Sequence, residues 1–249
     1  MHTWDWRGCE GFLYLSCSLL EAFPHGFFTR HFHPHAPHDL TSALQPAAAA
    51  YRVKQVHGNV VVTPSEIGES GLGQEDKEDK EAILATSFQP RTPHPSPLAE
   101  ADGLLTEQPL QAVWVASADC TPVLIADRHT GQVAAVHAGW RGTAIAGNVY
   151  QVSQQVAAEV GASIISTEAT AEILDLLAEI PDSPLSPDSH PERVRLDIRR
   201  VIALQLEQLG ISAEQVAIAP HCTYQEPERF FSYRRDKQKK VQWSGIISQ

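Results

Sequence analysis

The chain has 249 residues, with 19 Lys and Arg against 30 Asp and Glu, for a formal net charge of −11. That acidic excess disfavours a general binder of phosphate backbones, which wants a basic face, but leaves room for a local pocket holding one phosphate. The length can bury a sizeable core, and one α+β domain spanning residues 1–249 is the economical expectation. The four cysteines, Cys9, Cys17, Cys120 and Cys222, match no compact CxxC knuckle, and no apolar run approaches a membrane span. The first residues lack the basic region and unbroken apolar stretch of a secretory signal. A reducing, cytoplasmic setting without membrane or nucleic-acid partners is expected.

Residues 1–20 carry Trp4, Trp6, Phe12, Tyr14 and Leu15 and are predicted to form two short strands broken at Gly8–Gly11. Phe27 and Phe28 favour a third strand. The segment His31–His38 is rich in His and Pro. Its histidines, His31, His33, His35 and His38, look like a metal tract by composition, but a solvent-exposed active-site loop is the expected use. Gln45–Ala50 reads as a short helix. Tyr51–Thr63 reads as a strand interrupted by a hairpin turn or bulge at His57-Gly58-Asn59, which places His57 where the backbone changes direction. The acidic, Gly-rich stretch Glu66–Glu81 and the Pro-rich stretch Gln89–Pro97 read as surface loops. Asp102-Gly103 is a turn candidate, and Ala112–Ala118 is a strand leading into Cys120.

The stretch Ser117–Gly142, S-A-D-C-T-P-V-L-I-A-D-R-H-T-G-Q-V-A-A-V-H-A-G-W-R-G, carries the most chemistry. Two apolar segments, Thr121–Asp127 and Gln132–Ala138, flank a turn at Arg128–Gly131. A turn centred near His129 and Thr130 makes residues face each other when their numbers sum to about 259. Cys120 and His137 then fall at the same open end. A thiolate and an imidazole there can bind a soft-to-borderline metal or pair as nucleophile and base. The plain alternatives are a cysteine that packs as a small hydrophobe and a histidine satisfied by its neighbours. Asp119, Arg141 and the glycines at 139 and 142 shift the balance toward a site.

Val149, Val152, Val156 and Val160 have helical spacing, with Gly161 as a stop. Ser166 or Thr167 can cap a helix through Ile180, ended by Pro181. Pro191 leads into a long helix through Leu209, stopped at Gly210. Gln215–Ala219 and Phe230–Arg235 are predicted strands. The second ends in Arg234 and Arg235, which could hold an anionic substrate.

Several of these pieces occur in a telling order: H-G-F-F-T-R at 25–30, Q-V-H-G at 55–58, A-D-G-L-L-T at 101–106, S-A-D-C-T-P-V-L-I-A-D at 117–127, V-H-A-G-W-R-G at 136–142, C-T-Y at 222–224 and F-F-S-Y-R-R-D at 230–236. Together they resemble the YfiH, or laccase-domain, family across nearly the whole chain. The resemblance implies a mixed, layered α-β-β-α domain similar to the cysteine-hydrolase domain of cytotoxic necrotizing factor. It implies a zinc-type centre on His57, Cys120 and His137, with a position left for water, phosphate or substrate. Cys120, His137 and Asp119 become the candidate catalytic group. Arg52, Arg141 and Arg234 are candidate phosphate contacts, and His221 and Cys222 candidate pocket residues. Asp102 and Asp119 could orient ligands or water.

The activity implied is phosphorolysis of purine nucleosides, with adenosine deamination at the same centre, by a monomer or homodimer. One rival is a cysteine-dependent hydrolase that edits peptidoglycan precursors, with Cys120 as nucleophile. Another is a metal-stabilised interaction protein without catalysis. Multicopper chemistry fits poorly, since one Cys/His₂ cluster does not make several copper sites; copper is a less suitable occupant than zinc. The chain departs from the family after Ala144, where roughly 25–30 expected residues before Ile145 are missing, either through loss of an active-site wall or because a segment is absent from the sequence. It departs again at K-K-V-Q-W-S-G, where relatives often carry a Gly-Arg segment that could touch phosphate.

Overall fold

A computed structural model describes residues 2–67, 98–139, 162–165, 183, 185–187 and 193–249. The chain opens with the hairpin β1 (Trp4–Cys9) and β2 (Phe12–Cys17), followed by β3 (His25–Phe28). Helix α1 (Pro37–Leu44), β4 (Ala49–Tyr51), β5 (Val61–Val62) and the single turn α2 (Pro64–Ile67) come next. Then follow β6 (Gly103–Leu105), β7 (Gln111–Ser117), β8 (Thr121–Ala126) and β9 (Val133–Ala138). Short strands β10 (Ala162–Ile165), β11 (Leu185–Pro187) and β12 (Arg193–Leu196) precede α3 (Ile198–Gln208), the one-turn α4 (Tyr233–Asp236) and β13 (Gln242–Ile247).

The strands form a six-stranded sheet in the order β1-β2-β3-β13-β7-β4, a four-stranded sheet β5-β6-β9-β8, and a three-stranded sheet β10-β12-β11. The first two are mixed: β4 runs parallel to β7 and β5 parallel to β6, while their other pairs are antiparallel. Side chains alternate across each strand, which separates two cores. Val113, Val115 and Ile246 of the larger sheet pack against Leu104, Val133 and Ala135 of the smaller one. On the opposite face of the larger sheet, Phe28, Ala112, Trp114 and Ile247 pack with Leu40 of α1. Trp114 is fully buried, and its indole Nε1 donates to Thr41 Oγ1 at 2.8 Å, so its polar end is satisfied.

The β8–β9 hairpin has the register expected from the sequence. Thr121 faces Ala138, Val123 faces Val136 and Ala126 faces Val133, every pair summing to 259. Gly131, at φ 76°, supplies the left-handed residue of its turn. β3 and β7 also lie where expected. The first hairpin turns on Glu10 and Gly11 alone, both at positive φ, and Gly8 lies inside β1 opposite Leu13. The break is therefore narrower than Gly8–Gly11.

Other expectations are corrected. The helix predicted at Gln45–Ala50 lies earlier, at α1, where Pro37 occupies the first turn and the Ala36 N–H donates to Asp39 Oδ2 at 3.0 Å. Ala49 and Ala50 instead pair with β7, where small residues suit the close parallel approach. Tyr51–Thr63 is no hairpin, since β4 and β5 belong to different sheets. Asp102 leads into β6 rather than a turn. Pro191 does not open a helix: Arg193–Leu196 is β12, and α3 starts after Asp197, whose Oδ1 accepts from the Arg199 N–H at 3.0 Å. Gly210, at φ 87°, ends α3 as predicted. Gln215–Ala219 forms no strand, and Phe230–Arg235 runs into α4, capped by Ser232. Of the surface loop predicted at Glu66–Glu81, Glu66 and Ile67 instead close α2, with Ile67 buried; the rest of that loop, the helices predicted at 149–160 and 166–180, the loop 89–97 and the junction at 144–145 lie outside the described residues. No helix among the described residues is long and apolar enough to cross a membrane.

Gly245 of β13 faces Trp114 of β7, and a Cβ built there would lie 2.4 Å from the indole ring. The ring is anchored at Thr41 and cannot retreat. Gly245→Ala is therefore expected to destabilise the fold by about 1–3 kcal/mol through overpacking. Urea unfolding followed by tryptophan fluorescence measures it; unchanged stability would mean that β13 can shift away from Trp114.

Candidate metal centre

His57, Cys120 and His137 come from three separate places. His57 sits in the crossover from β4 to β5, Cys120 just before β8, and His137 near the end of β9. Their ligand atoms all lie within 4.8 Å of one another. Donors gathered this closely can share a single ion once the side chains draw in, since zinc at about 2.0–2.3 Å from each ligand sets them roughly 3.3–3.8 Å apart.

His137 is buried, with Nδ1 2.8 Å from the Ala116 carbonyl of β7. A carbonyl only accepts, so Nδ1 carries the proton and Nε2 presents a lone pair. That Nε2 is buried and has no hydrogen-bond partner. Burial, and secondarily the nearby His57, push the imidazole pKa below its usual value, which keeps the ring neutral. A neutral, oriented imidazole with an orphaned nitrogen is the form a metal takes.

Asp102 organises the other side. Its buried carboxylate accepts the backbone N–H groups of Val56, His57 and Gly58, at 3.3, 2.9 and 2.6 Å. These bonds hold His57 at φ 61°, a conformation few non-glycine residues adopt. The Asp102 carbonyl also accepts the His137 N–H at 2.7 Å. One residue thus sets the positions of both histidines. Gln55 adds a second tie, since its side-chain amide bonds both the N–H and the carbonyl of Ala116, at 2.7 and 2.9 Å. Gln55 was missed as a site residue; the signal was a polar amide directly before the His57 turn.

Cys120 is half-buried, and burial, with the Asp119 carboxylate adding to it, pushes its thiol up to about 11. The thiolate therefore needs a cation. Asp119, at φ 107°, is already committed: Oδ1 accepts from the Thr223 hydroxyl at 3.0 Å and Oδ2 from the Arg234 N–H at 2.8 Å. It fastens the Cys120 loop to the C-terminal segment. Gly139 lies behind all three donors. A Cβ there would sit 3.1 Å from Cys120 Sγ, 3.1 Å from His57 Cδ2 and 3.3 Å from His137 Nε2. The cradle exists because this residue has no side chain.

The remaining candidates divide. Burial lowers the Arg234 guanidinium pKa, opposed by Asp119 and Cys120, whose charges its own reaches. Arg52 is buried on the α1 side of the larger sheet, its guanidinium 6.0 Å from the Trp243 ring centroid. Arg141 lies outside the described residues. Arg235, which the sequence offered as an anion contact, instead donates to the carbonyls of Thr223, Tyr224 and Phe230 and to Asp236. His221 and Cys222 line a cleft of about 650 Å³ together with Asp119, Cys120 and Thr223. The histidine tract does not converge: His31 stacks on Phe12, His33 meets Phe231 edge-on and His35 bonds the Phe32 carbonyl.

The family described as "Multi-copper polyphenol oxidoreductase laccase" matches residues 37–248. The chain belongs to this laccase-like family. A purine nucleoside phosphorylase from Synechocystis is 44% identical over 276 aligned positions, covering 98% of this chain and 97% of the relative. The purine nucleoside phosphorylase YfiH of Escherichia coli is 31% identical over 157 residues, covering 59% and 63%. Two solved structures share the fold. YlmD of Geobacillus stearothermophilus has a TM-score of 0.68 at 20% identity, covering 99% of each chain. YfiH of Bacillus licheniformis has a TM-score of 0.66 at 20% identity, covering 95% and 96%.

Two substitutions test the cradle. Gly139→Ala is expected to abolish stoichiometric metal retention while far-UV circular dichroism stays unchanged; full retention would show that the donors gather elsewhere. Asp102→Ala is expected to weaken metal affinity by about 10–100-fold, measured by competition with a chromogenic chelator. Unaltered affinity would show that the His57 turn holds itself.

Proposed function

We propose that this chain is a zinc-dependent purine nucleoside phosphorylase that releases the base from inosine or adenosine with phosphate, with adenosine deaminase activity at the same centre. The observation that carries this reading is the convergence of His57, Cys120 and His137 on one point with His137 Nε2 left unbonded. The full-length similarity to a relative named purine nucleoside phosphorylase supports the substrate class. The mixed Cys/His₂ donor set favours zinc over copper, and among the described residues it is the one such group, which does not favour multicopper chemistry.

When bound, zinc would supply Lewis-acid polarisation of a water or substrate oxygen. The chain's own residues do the rest. Asp102 and the Ala116 carbonyl hold the two imidazoles in place. Asp119 anchors the loop that carries Cys120 to the segment that carries Arg234. Arg234 would meet the phosphate, with Arg141 as a second contact; Arg52, beside Trp243, is the least suited of the three. The cleft that reaches Cys120 has the volume of a small-molecule site.

The hydrolase rival needs a hydrogen-bonded Cys120–His137 pair and an acidic thiol. His137 Nε2 makes no hydrogen bond, and the thiol is pushed up, so neither requirement is supported. The exposed His57, and a cleft that reaches Cys120 although neither histidine lines it, favour an open coordination position over a closed structural site. The packing of α1 on one face of the larger sheet and of the second sheet on the other is in keeping with a single α-β-β-α domain like that of cytotoxic necrotizing factor. The Synechocystis alignment has more positions than this chain has residues, so the relative carries residues with no counterpart here, in keeping with a deletion or an absent segment at Ala144–Ile145.

The test is anaerobic purification with metal quantitation, then assays on inosine with phosphate and on adenosine. Ribose-1-phosphate and inosine, respectively, are the expected products. His57→Ala and Cys120→Ala are each expected to abolish both. Full activity in a metal-free preparation would defeat the metal mechanism, and turnover of a cell-wall amide but of neither nucleoside would promote the rival.

A further inference from the structure

His221 is held more firmly than a pocket-lining residue requires. Its Nδ1 lies 2.9 and 3.1 Å from the two carboxylate oxygens of Glu226. Arg229 donates to Glu226 Oε2 at 2.9 Å, and the Cys222 N–H to Oε1 at 3.3 Å. Burial works against the Glu226 charge, but the bonds from His221 and Arg229 outweigh it and hold the carboxyl below its usual range. An ionised carboxylate accepts, so Nδ1 of His221 carries a proton whether or not the ring holds a second one, and Nε2 is the nitrogen free to give one up or take one.

The ring is also walled in. Trp6 of β1 meets it edge-on at 5.1 Å, and Phe230 lies 6.1 Å away. The Arg229 guanidinium covers Trp6 at 4.9 Å. From α3, Arg199 donates to the carbonyls of Ala219 and His221, at 3.0 and 3.4 Å. Glu226, Arg229 and Arg199 are thus the charged groups around it. His221 lines the cleft that also takes in Cys120 and Thr223, and Thr223 bonds the aspartate next to Cys120. A carboxylate-oriented imidazole opening on such a cleft has the form of a general acid–base group.

We propose that His221, positioned by Glu226, is the proton donor to the departing purine ring. This rests on the phosphorylase reading above. A phosphate oxygen bonds to C1′ of the ribose as the C1′–N9 bond breaks, and the bonding pair passes onto the purine. The ring enters the step doubly protonated: its Nε2 proton moves to N7, leaving a neutral imidazole whose Nδ1–H still donates to the Glu226 carboxylate. The purine leaves neutral and the sugar leaves as ribose-1-phosphate.

Inosine and 7-methylinosine separate this role from a structural one. The methylated base is already cationic and departs without a proton. In the metal-loaded full chain, His221→Gln is expected to lower kcat/KM on inosine by about 100-fold or more, yet to stay within a few-fold of wild type on 7-methylinosine. Glu226→Gln leaves the ring in place and is expected to show the same selectivity with a smaller loss; it carries the comparison if His221→Gln does not fold. Equal losses on both nucleosides, or none on inosine, would overturn the assignment while leaving the phosphorylase reading intact. A wild-type protein that phosphorolyses neither nucleoside would overturn both.

Discussion

The centre depends on one buried carboxylate. Asp102 accepts three consecutive N–H groups around His57, and its main-chain carbonyl accepts the N–H of His137. A buried charge is tolerable only when it is this fully bonded. The bonds are directional, so satisfying the carboxylate also fixes the path of the crossover between the two sheets. His57 cannot relax out of its left-handed conformation without leaving that charge unmet.

What the sequence revealed follows from how local each cause is. The β8–β9 hairpin was legible to the register, because alternation and a compact turn are both written within about 18 residues. The placement of His57 at a change of direction was legible for the same reason. The partner that stabilises it was not, since Asp102 is brought near only by the sheet. β13 escaped notice because V-Q-W-S-G-I-I looks unremarkable until Gly245 is seen to admit the Trp114 ring. β12 was absorbed into a helix because R-V-R-L is followed at once by true helical spacing in α3. The alanines before Tyr51 favour helix in isolation, and burial against β7 overrode that preference.

The site also shows how charges divide labour. Arg234 and Arg235 are neighbours, yet one lies beside Cys120 and the other is spent on carbonyls and Asp236. Asp119 and Asp102 both flank the donors, but each is occupied with backbone or hydroxyl groups rather than standing ready as a base. Acidic composition overall is thus compatible with anion chemistry at one place, because the local field there is set by few residues.

The strand order β3-β13-β7 has a temporal meaning. Ser244 opposes Phe27, and Trp243 opposes Ala116, whose carbonyl fixes the proton on His137. Pairings so distant along the chain close large loops and form late on a folding trajectory. The strand that backs Ala116 is therefore expected to dock after the local hairpins have formed, so the wall behind the His137 contact is completed late.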